Sequence, residues 1–283
     1  MTVYGMEDGI ETTYKNYKPE AQYQDLPGKD DMMDPHAYHL EIEMWDNNGQ
    51  PYLQEYQGSG KLEGTSILIT GGDSGIGRSA ALMLAREGAD ISIAYLPEDT
   101  DWVKNAIAKN PHGSKKCLLI PCSLQSEESC KQVVDAHVKQ YGRINVLVNN
   151  ASKQMKETKF EKIDMGQVKS TFESNILGIV VAYRGSPAMI DYSSTKGAIV
   201  SFTRALASHF APKGIRVNGV APGPVYTPLQ PASRIEEENP PLRGRMAQPA
   251  ELGPAYVFLA SNMMSGTMSA QMLHLNLGQF PDS

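Results

Sequence analysis

Residues 70–77 read Thr-Gly-Gly-Asp-Ser-Gly-Ile-Gly, between a short apolar run, Ser66-Ile67-Leu68-Ile69-Thr70, and an alanine- and leucine-rich run over 78–87. A strand that turns on glycines directly into a helix constrains the fold more than any other feature of the chain. Gly71, Gly75 and Gly77 allow a tight turn and close approach of a bound anion. The helix beginning near Ile76 then aims its unpaired N–H groups at that anion, with Asp73 and Ser74 completing the loop. The glycine spacing alone is weak, and an ordinary glycine-rich turn is the alternative. Its position between strand and helix is the context that a pyrophosphate loop demands.

The same rhythm continues downstream. Apolar runs at 91–95, 116–120 and 146–148 read as strands, and 101–110 and 126–141 read as helices, the latter stopped by Gly142. Further on, 192–210 reads as a long helix closed by Pro212 and Gly214. Residues 216–220 and 272–275 read as strands, with a helix at 251–260 after Pro249. Short connections and nearly uniform apolar strands indicate parallel βαβ units. The expected class is α/β, a doubly wound parallel sheet forming a single domain over residues 61–283.

Residues 1–60 differ in texture. They hold three lysines against twelve acids and seven of the thirteen tyrosines, whereas the rest of the chain is slightly basic; the total is −6. Turn signals at Pro27-Gly28, Asp34-Pro35, Asn48-Gly49 and Gly58-Ser59-Gly60, with no sustained period of 3.6 or 2, predict an irregular arm. Its aromatic content predicts packing on the body or on a neighbouring subunit. No lysine/arginine stripe exists to neutralise phosphates, so nucleic acid is not an expected partner. No run of 18 apolar residues exists, so no membrane span is expected. Residues 1–10 show no basic or apolar leader, and the expected location is cytoplasmic. Cys117, Cys122 and Cys130 match no common zinc spacing and read as reduced structural thiols; no metal site is expected.

Two further motifs carry chemistry. Asn149-Asn150-Ala151 follows a predicted strand, and Tyr192-Ser193-Ser194-Thr195-Lys196 opens a predicted helix. Tyrosine and lysine four apart share one helix face. An ammonium beside a phenol favours the phenolate and moves its pKa towards neutrality. Tyr192 would then give a proton to a carbonyl or take one from an alcohol.

With the glycine loop, these motifs resemble the short-chain dehydrogenases/reductases, and within them an N-terminally extended branch of glucose/ribitol dehydrogenase-like oxidoreductases. Trp45-Asp46-Asn47, Gly58-Ser59-Gly60-Lys61-Leu62-Glu63-Gly64, Ala221-Pro222-Gly223-Pro224 and Thr227-Pro228-Leu229 fit that branch. The resemblance covers about residues 42–283. It implies a Rossmann-type fold, an NAD(P)(H) cofactor, a small carbonyl or alcohol substrate and a homo-oligomer.

It also implies roles residue by residue. Lys196 would hold the nicotinamide ribose, and Asn175 would hold a water linking Lys196 to solvent. Asn149 and Ala151 would lie along the cofactor. Pro222 and Gly223 would flank the nicotinamide with Val225 beside them, and Thr227 would bond its carboxamide or the phosphates. Ser123 stands where the family has an acid near the adenine. Tyr95 ends the strand that reads the adenosine ribose. With no acid there to repel a 2′-phosphate, NADP(H) is slightly favoured over NAD(H).

The chain departs from the family in two places. Met268-Ser269-Ala270-Gln271 lacks the usual glycine before the last strand. More seriously, the family places a serine thirteen positions before the tyrosine, and that position is Ile179. Asn175 and Tyr192 stand only 17 positions apart, about two dozen fewer than the family pattern. An internal deletion between Asn175 and Ala182 would remove the rest of a helix, most of the fifth strand, the serine and part of the subunit interface. Ser174 and Ser186 are nearby hydroxyls, but neither occupies the expected place. Two structural outcomes follow: residues 176–181 become a substitute strand, or the sheet is left with a gap and exposed apolar faces. The expected function is carbonyl–alcohol interconversion. The alternatives are a catalytically impaired dinucleotide-binding protein and a chain that misfolds.

Overall fold

A computed structural model describes residues 12–15, 19–96, 102–108, 116–155, 159, 162–177, 189–233 and 244–278. Its centre is a four-stranded parallel sheet in the order β5-β4-β3-β6, formed by β3 (Ser66–Thr70), β4 (Asp90–Tyr95), β5 (Cys117–Pro121) and β6 (Val146–Asn149). Every residue of β3 is buried, as a parallel strand covered on both faces should be. Ile67, Ile69, Ile91 and Ile93 join one cluster with α1 (Gly75–Arg86), α2 (Trp102–Ala108) and α7 (Pro249–Ala260). Leu68 and Ala94 point the other way, onto Val133 of α3 (Glu127–Tyr141). The period of two along each strand thus places apolar residues against helices on both sides.

Local signals set the boundaries. Ser126 caps α3 in a reciprocal bond with Ser129, and Gly142 ends it with φ +80°. In α7, Gly253 lies against Met83 of α1 so closely that a Cβ would strike the sulfur.

Sheet order breaks after β6. A separate parallel pair, β7 (Gly219–Pro222) and β8 (Met272–Leu275), packs against Ile199 and Val200 of the 21-residue α5 (Ile190–Phe210). No strand stands between β6 and β7 among the described residues. A substitute strand at 176–181 is not what forms at its start: Ile176 and Leu177 end α4 (Met165–Leu177), and residues 178–188, with Ser186, lie outside the described residues. Leu147 of β6 is 49% exposed, beside Leu68 in the sheet. Asp164 starts α4 by accepting the Gln167 N–H at 2.9 Å, as an N-terminal carboxylate should.

Two sequence expectations need correction. The strand expected at 216–220 begins only at Gly219, because Arg216, Val217 and Asn218 are bound sideways to Leu259, Ser269 and Met268. The arm is not irregular throughout. Its β1 (Glu41–Trp45) and β2 (Pro51–Glu55) form an antiparallel hairpin around Asn48-Gly49, with Gly49 at φ +76°. The buried residue of β1 is Glu43, so the strand lacks an apolar alternation. Glu43 pairs with Arg245 at 3.3 Å, and Arg245 also binds Glu251 of α7 at 2.8 Å and stacks on the buried Tyr14 ring. In the segment 268–271, Ala270 adopts φ +62°. The remaining short helices are α6 (Leu229–Ala232) and α8 (Asn262–Ser265).

Candidate active site

A cavity of about 620 Å³ runs along the C-terminal ends of β3, β4, β5 and β6 and continues past the end of β7. Ligands of open α/β sheets bind at this edge. The glycine loop supplies Gly71, Asp73, Ser74, Gly75 and Ile76 to its wall. Gly71 has φ +62° with Ala151 packed against it, and Gly75 has φ +50° with Thr227 against it, so neither position accepts a side chain. Gly77 lies outside the cavity, where a Cβ would strike the Gly71 carbonyl. Asn150 braces the turn by donating its amide to the carbonyls of Thr70 (3.2 Å) and Gly71 (2.8 Å).

Tyr95 and Ser123 line one end of the cavity, Ala151 the middle, and Pro222, Gly223, Val225 and Thr227 the far wall. Asn149 ends β6 and does not reach the cavity wall. These features fit a dinucleotide: a long groove, a loop stripped of side chains and a helix N-terminus at its edge. The sequence reading missed the arm's share. Leu26, Pro27 and Gly28 line the cavity, and Asp30 accepts the Gly75 N–H at 2.9 Å while pairing with Arg78 (2.8 Å) and His39 (3.3 Å). Burial raises the Asp30 pKa, but His39, Arg78 and the Gly75 amide outweigh it and hold the carboxyl below its ordinary value.

Tyr192 lines the cavity, and Lys196 lies fully buried behind it, its ammonium 4.6 Å from the Tyr192 ring centroid. Helical spacing explains both positions, since α5 turns Tyr192, Thr195, Lys196 and Ile199 towards the body. The electrostatics differ from the sequence expectation. Removal from water pushes the Tyr192 hydroxyl up to about 12 and Lys196 down to about 7. Desolvation penalises both charged forms; for Tyr192 it outweighs the lowering effect of Ser152, and the ammonium faces the ring.

Asn175 is also buried. Its carbonyl oxygen accepts from the Lys153 N–H (2.7 Å) and Ser152 Oγ (3.2 Å), and its amide donates to the Lys153 carbonyl (2.8 Å) and Thr195 Oγ1 (3.3 Å). It therefore reaches Lys196 through Ser152, whose Oγ accepts from Lys196 Nζ at 3.2 Å. Ser152 and Gln154 line the cavity and were not singled out by sequence; Gln154 Nε2 has no hydrogen-bond partner among the described residues. The available signal was position, since Ser152 directly follows Asn149-Asn150-Ala151 and Gln154 stands two residues further on.

A parallel sheet with a glycine loop and a tyrosine on one groove, backed by a buried lysine, defines a class of α/β oxidoreductase. Known families agree. Residues 65–191 match the model described as short chain dehydrogenase, and residues 176–279 match the one described as Enoyl-(Acyl carrier protein) reductase. NADPH-dependent aldehyde reductase 1, chloroplastic, of Arabidopsis thaliana is 39% identical, over 86% of this chain and 96% of that protein. Glucose and ribitol dehydrogenase of Daucus carota is 38% identical, over 92% and 96%. The crystal structure of a short-chain type dehydrogenase/reductase from Mycobacterium marinum superposes with a TM-score of 0.70 at 26% identity, covering 76% of this chain and 95% of that one. The chain belongs to the short-chain dehydrogenase/reductase family of oxidoreductases. No described helix is long and apolar enough to cross a membrane.

Proposed function

We propose that the protein interconverts a carbonyl and an alcohol with NAD(P)(H), Tyr192 acting as acid/base and Lys196 as its partner. The observation that carries this reading is the placement of Tyr192 on the wall of the cavity that also holds the glycine loop, with Lys196 buried directly behind it. A bound nicotinamide would supply or accept the hydride at the substrate carbon. In the reducing direction, Tyr192 gives its hydroxyl proton to the carbonyl oxygen. Lys196, poised near neutral pH, restores that proton. Gly71 and Ile76 would cradle the pyrophosphate beside Gly75, whose own N–H is held by Asp30, and Pro222, Gly223 and Thr227 would hold the nicotinamide end.

NADP(H) is favoured because β4 ends in Tyr95, which offers no carboxylate against a 2′-phosphate. The aldehyde reductase relative is NADPH-dependent by name, which points the same way. A second reading, dinucleotide binding without turnover, is favoured by the break between β6 and β7.

The test is NADPH binding by fluorescence together with turnover on a panel of aldehydes, ketones and sugars. Tyr192→Phe should bind NADPH normally and lose about 10²–10⁴ of kcat. Clean binding with no turnover by the unaltered protein would establish the second reading.

A further inference from the structure

The first turn of α1 is capped from outside its own stretch of sequence. Ser74 stands at the N-cap position in extended backbone, yet its side chain makes no capping bond. The Gly75 N–H, first in the helix, instead donates to Asp30 Oδ2 at 2.9 Å, across 45 positions of chain. The same oxygen pairs with Arg78 Nη1 at 2.8 Å and lies 3.3 Å from His39 Nε2. His39 Nδ1 in turn meets the buried Ser79 Oγ at 3.1 Å. Gly75, Arg78 and Ser79 all belong to α1, so Asp30 and His39 tie the arm to the start of that helix.

The arm also reaches the opposite wall of the cavity. The Lys29 N–H donates to Gln24 Oε1 at 2.7 Å, and the Gln24 N–H donates to the Pro231 carbonyl of α6 at 3.3 Å. Gly28 lies so close to the Pro228 carbonyl and to Ala232 that a Cβ would strike both. Leu26, Pro27 and Gly28 are themselves cavity wall. Residues 24–30 thus form a strap from α6 to the glycine loop, and the loop is held by a neighbour rather than left to its own turn.

The consequence falls on the groups that Asp30 does not take. The first N–H groups of a helix have no intrahelical partners. With the arm serving Gly75, the Ser74 hydroxyl is not drawn into a cap, and Ser74 and Ile76 both line the cavity. A bare carboxylate beside them would repel a diphosphate, and the Arg78 guanidinium offsets that charge. We propose that Asp30 is a cofactor-positioning residue, which caps α1 from the arm and so keeps Ser74 and the Ile76 N–H for the pyrophosphate of a dinucleotide. The inference rests on the reading of the cavity as a dinucleotide site and does not require turnover. Preorganisation sets the size of the effect: a loop in its binding shape about one-tenth of the time binds about tenfold more weakly, and losing a helix cap is of that order.

The experiment is calorimetric titration of the full chain and its Asp30→Ala, Asp30→Asn and Gly28→Ala variants. The ligands are whichever of NADPH and NADH the parent binds more tightly, and the matching fragment without pyrophosphate, adenosine 2′-monophosphate or adenosine. Asp30 Oδ1 has no hydrogen-bond partner among the described residues, so asparagine can place its amide there while its oxygen keeps the contacts of Oδ2. Asp30→Ala should weaken the dinucleotide about tenfold and leave the fragment within about twofold, whereas Asp30→Asn should stay within about threefold for both. Gly28→Ala, which pushes the strap off Pro228, should weaken the dinucleotide in the same selective way, and it carries the test if Asp30→Ala does not fold. Unchanged dinucleotide binding by Asp30→Ala overturns the proposal, as does tighter binding, which would mean that the carboxylate had held the place of the phosphate. Equal weakening of dinucleotide and fragment also overturns it, because that marks a general loss of structure, and so does an asparagine variant as weak as the alanine one. If the parent binds neither dinucleotide, the reading of the cavity itself fails and takes the proposal with it.

Discussion

Lys196 should make the protein less stable, and by an amount that depends on pH. It is fully buried, and desolvation lowers its pKa from 10.5 to about 7. In the unfolded chain the group keeps its ordinary value, so between about pH 7 and 10.5 the unfolded state binds the extra proton and stability rises with pH. Below about pH 7 both states are protonated and the full cost of burying the ammonium remains. At about 1.4 kcal/mol per unit that cost is about 5 kcal/mol near pH 6, falling to about 2 kcal/mol near pH 9. Lys196→Met keeps the length and apolar stem of the side chain and removes the charge. It also loses the bond to Ser152, worth about 1 kcal/mol. The variant should therefore be more stable than the parent by about 4 kcal/mol near pH 6 and by about 1 kcal/mol near pH 9. Urea unfolding followed by circular dichroism at several pH values measures this as a shift in midpoint at constant slope. A difference that stays flat with pH, or a variant less stable than the parent near pH 6, would refute the argument that burial sets the Lys196 pKa.

Two further substitutions test how the rest of the chain is held. Ala270 sits at φ +62°, where a Cβ is strained, so Ala270→Gly should raise stability by about 1 kcal/mol, read as a higher urea midpoint. Arg245 is buried between Glu43 and Glu251, and Arg245→Met leaves two carboxylates without their cation; stability should fall by about 3–5 kcal/mol, and the hairpin should become the first site of limited proteolysis. An unchanged cleavage pattern would mean that the hairpin is held without Arg245.

The features legible in the sequence were those decided by near neighbours. The turn from β3 into α1 shows as glycines at fixed spacing, and the ends of α3 show as Ser126 and Gly142, because each depends on residues within four positions. The hairpin was not legible. Its inward residue is Glu43, and what makes that tolerable is Thr12 and Thr13, about 30 positions before it, and Arg245, distant by 202 positions. A pattern search for apolar alternation meets a charge there and reads irregular chain. Glycine's absence at Ala270 was visible, but the positive φ it leaves behind belongs to the packing of the 268–271 segment on Val217 and Asn218.

The site divides along the same line. The Tyr192 and Lys196 pair is legible because four positions on a helix mean one face. Its electrostatics are not, because spacing says nothing of water. α4 closes over α5 through Asn175 and Thr195, and the loop after β6 lies under Lys196, so the ammonium is stripped of solvent and meets a serine oxygen instead. Ser152 escaped notice for a related reason. A serine counted back from Tyr192 along the chain has to come from the fifth strand, whereas the hydroxyl in place comes from a segment 40 positions before Tyr192 and is brought there by β6, next to β3 in the sheet. Neighbours along the chain do not show which hydroxyl meets the Lys196 ammonium; the end of β6 decides it.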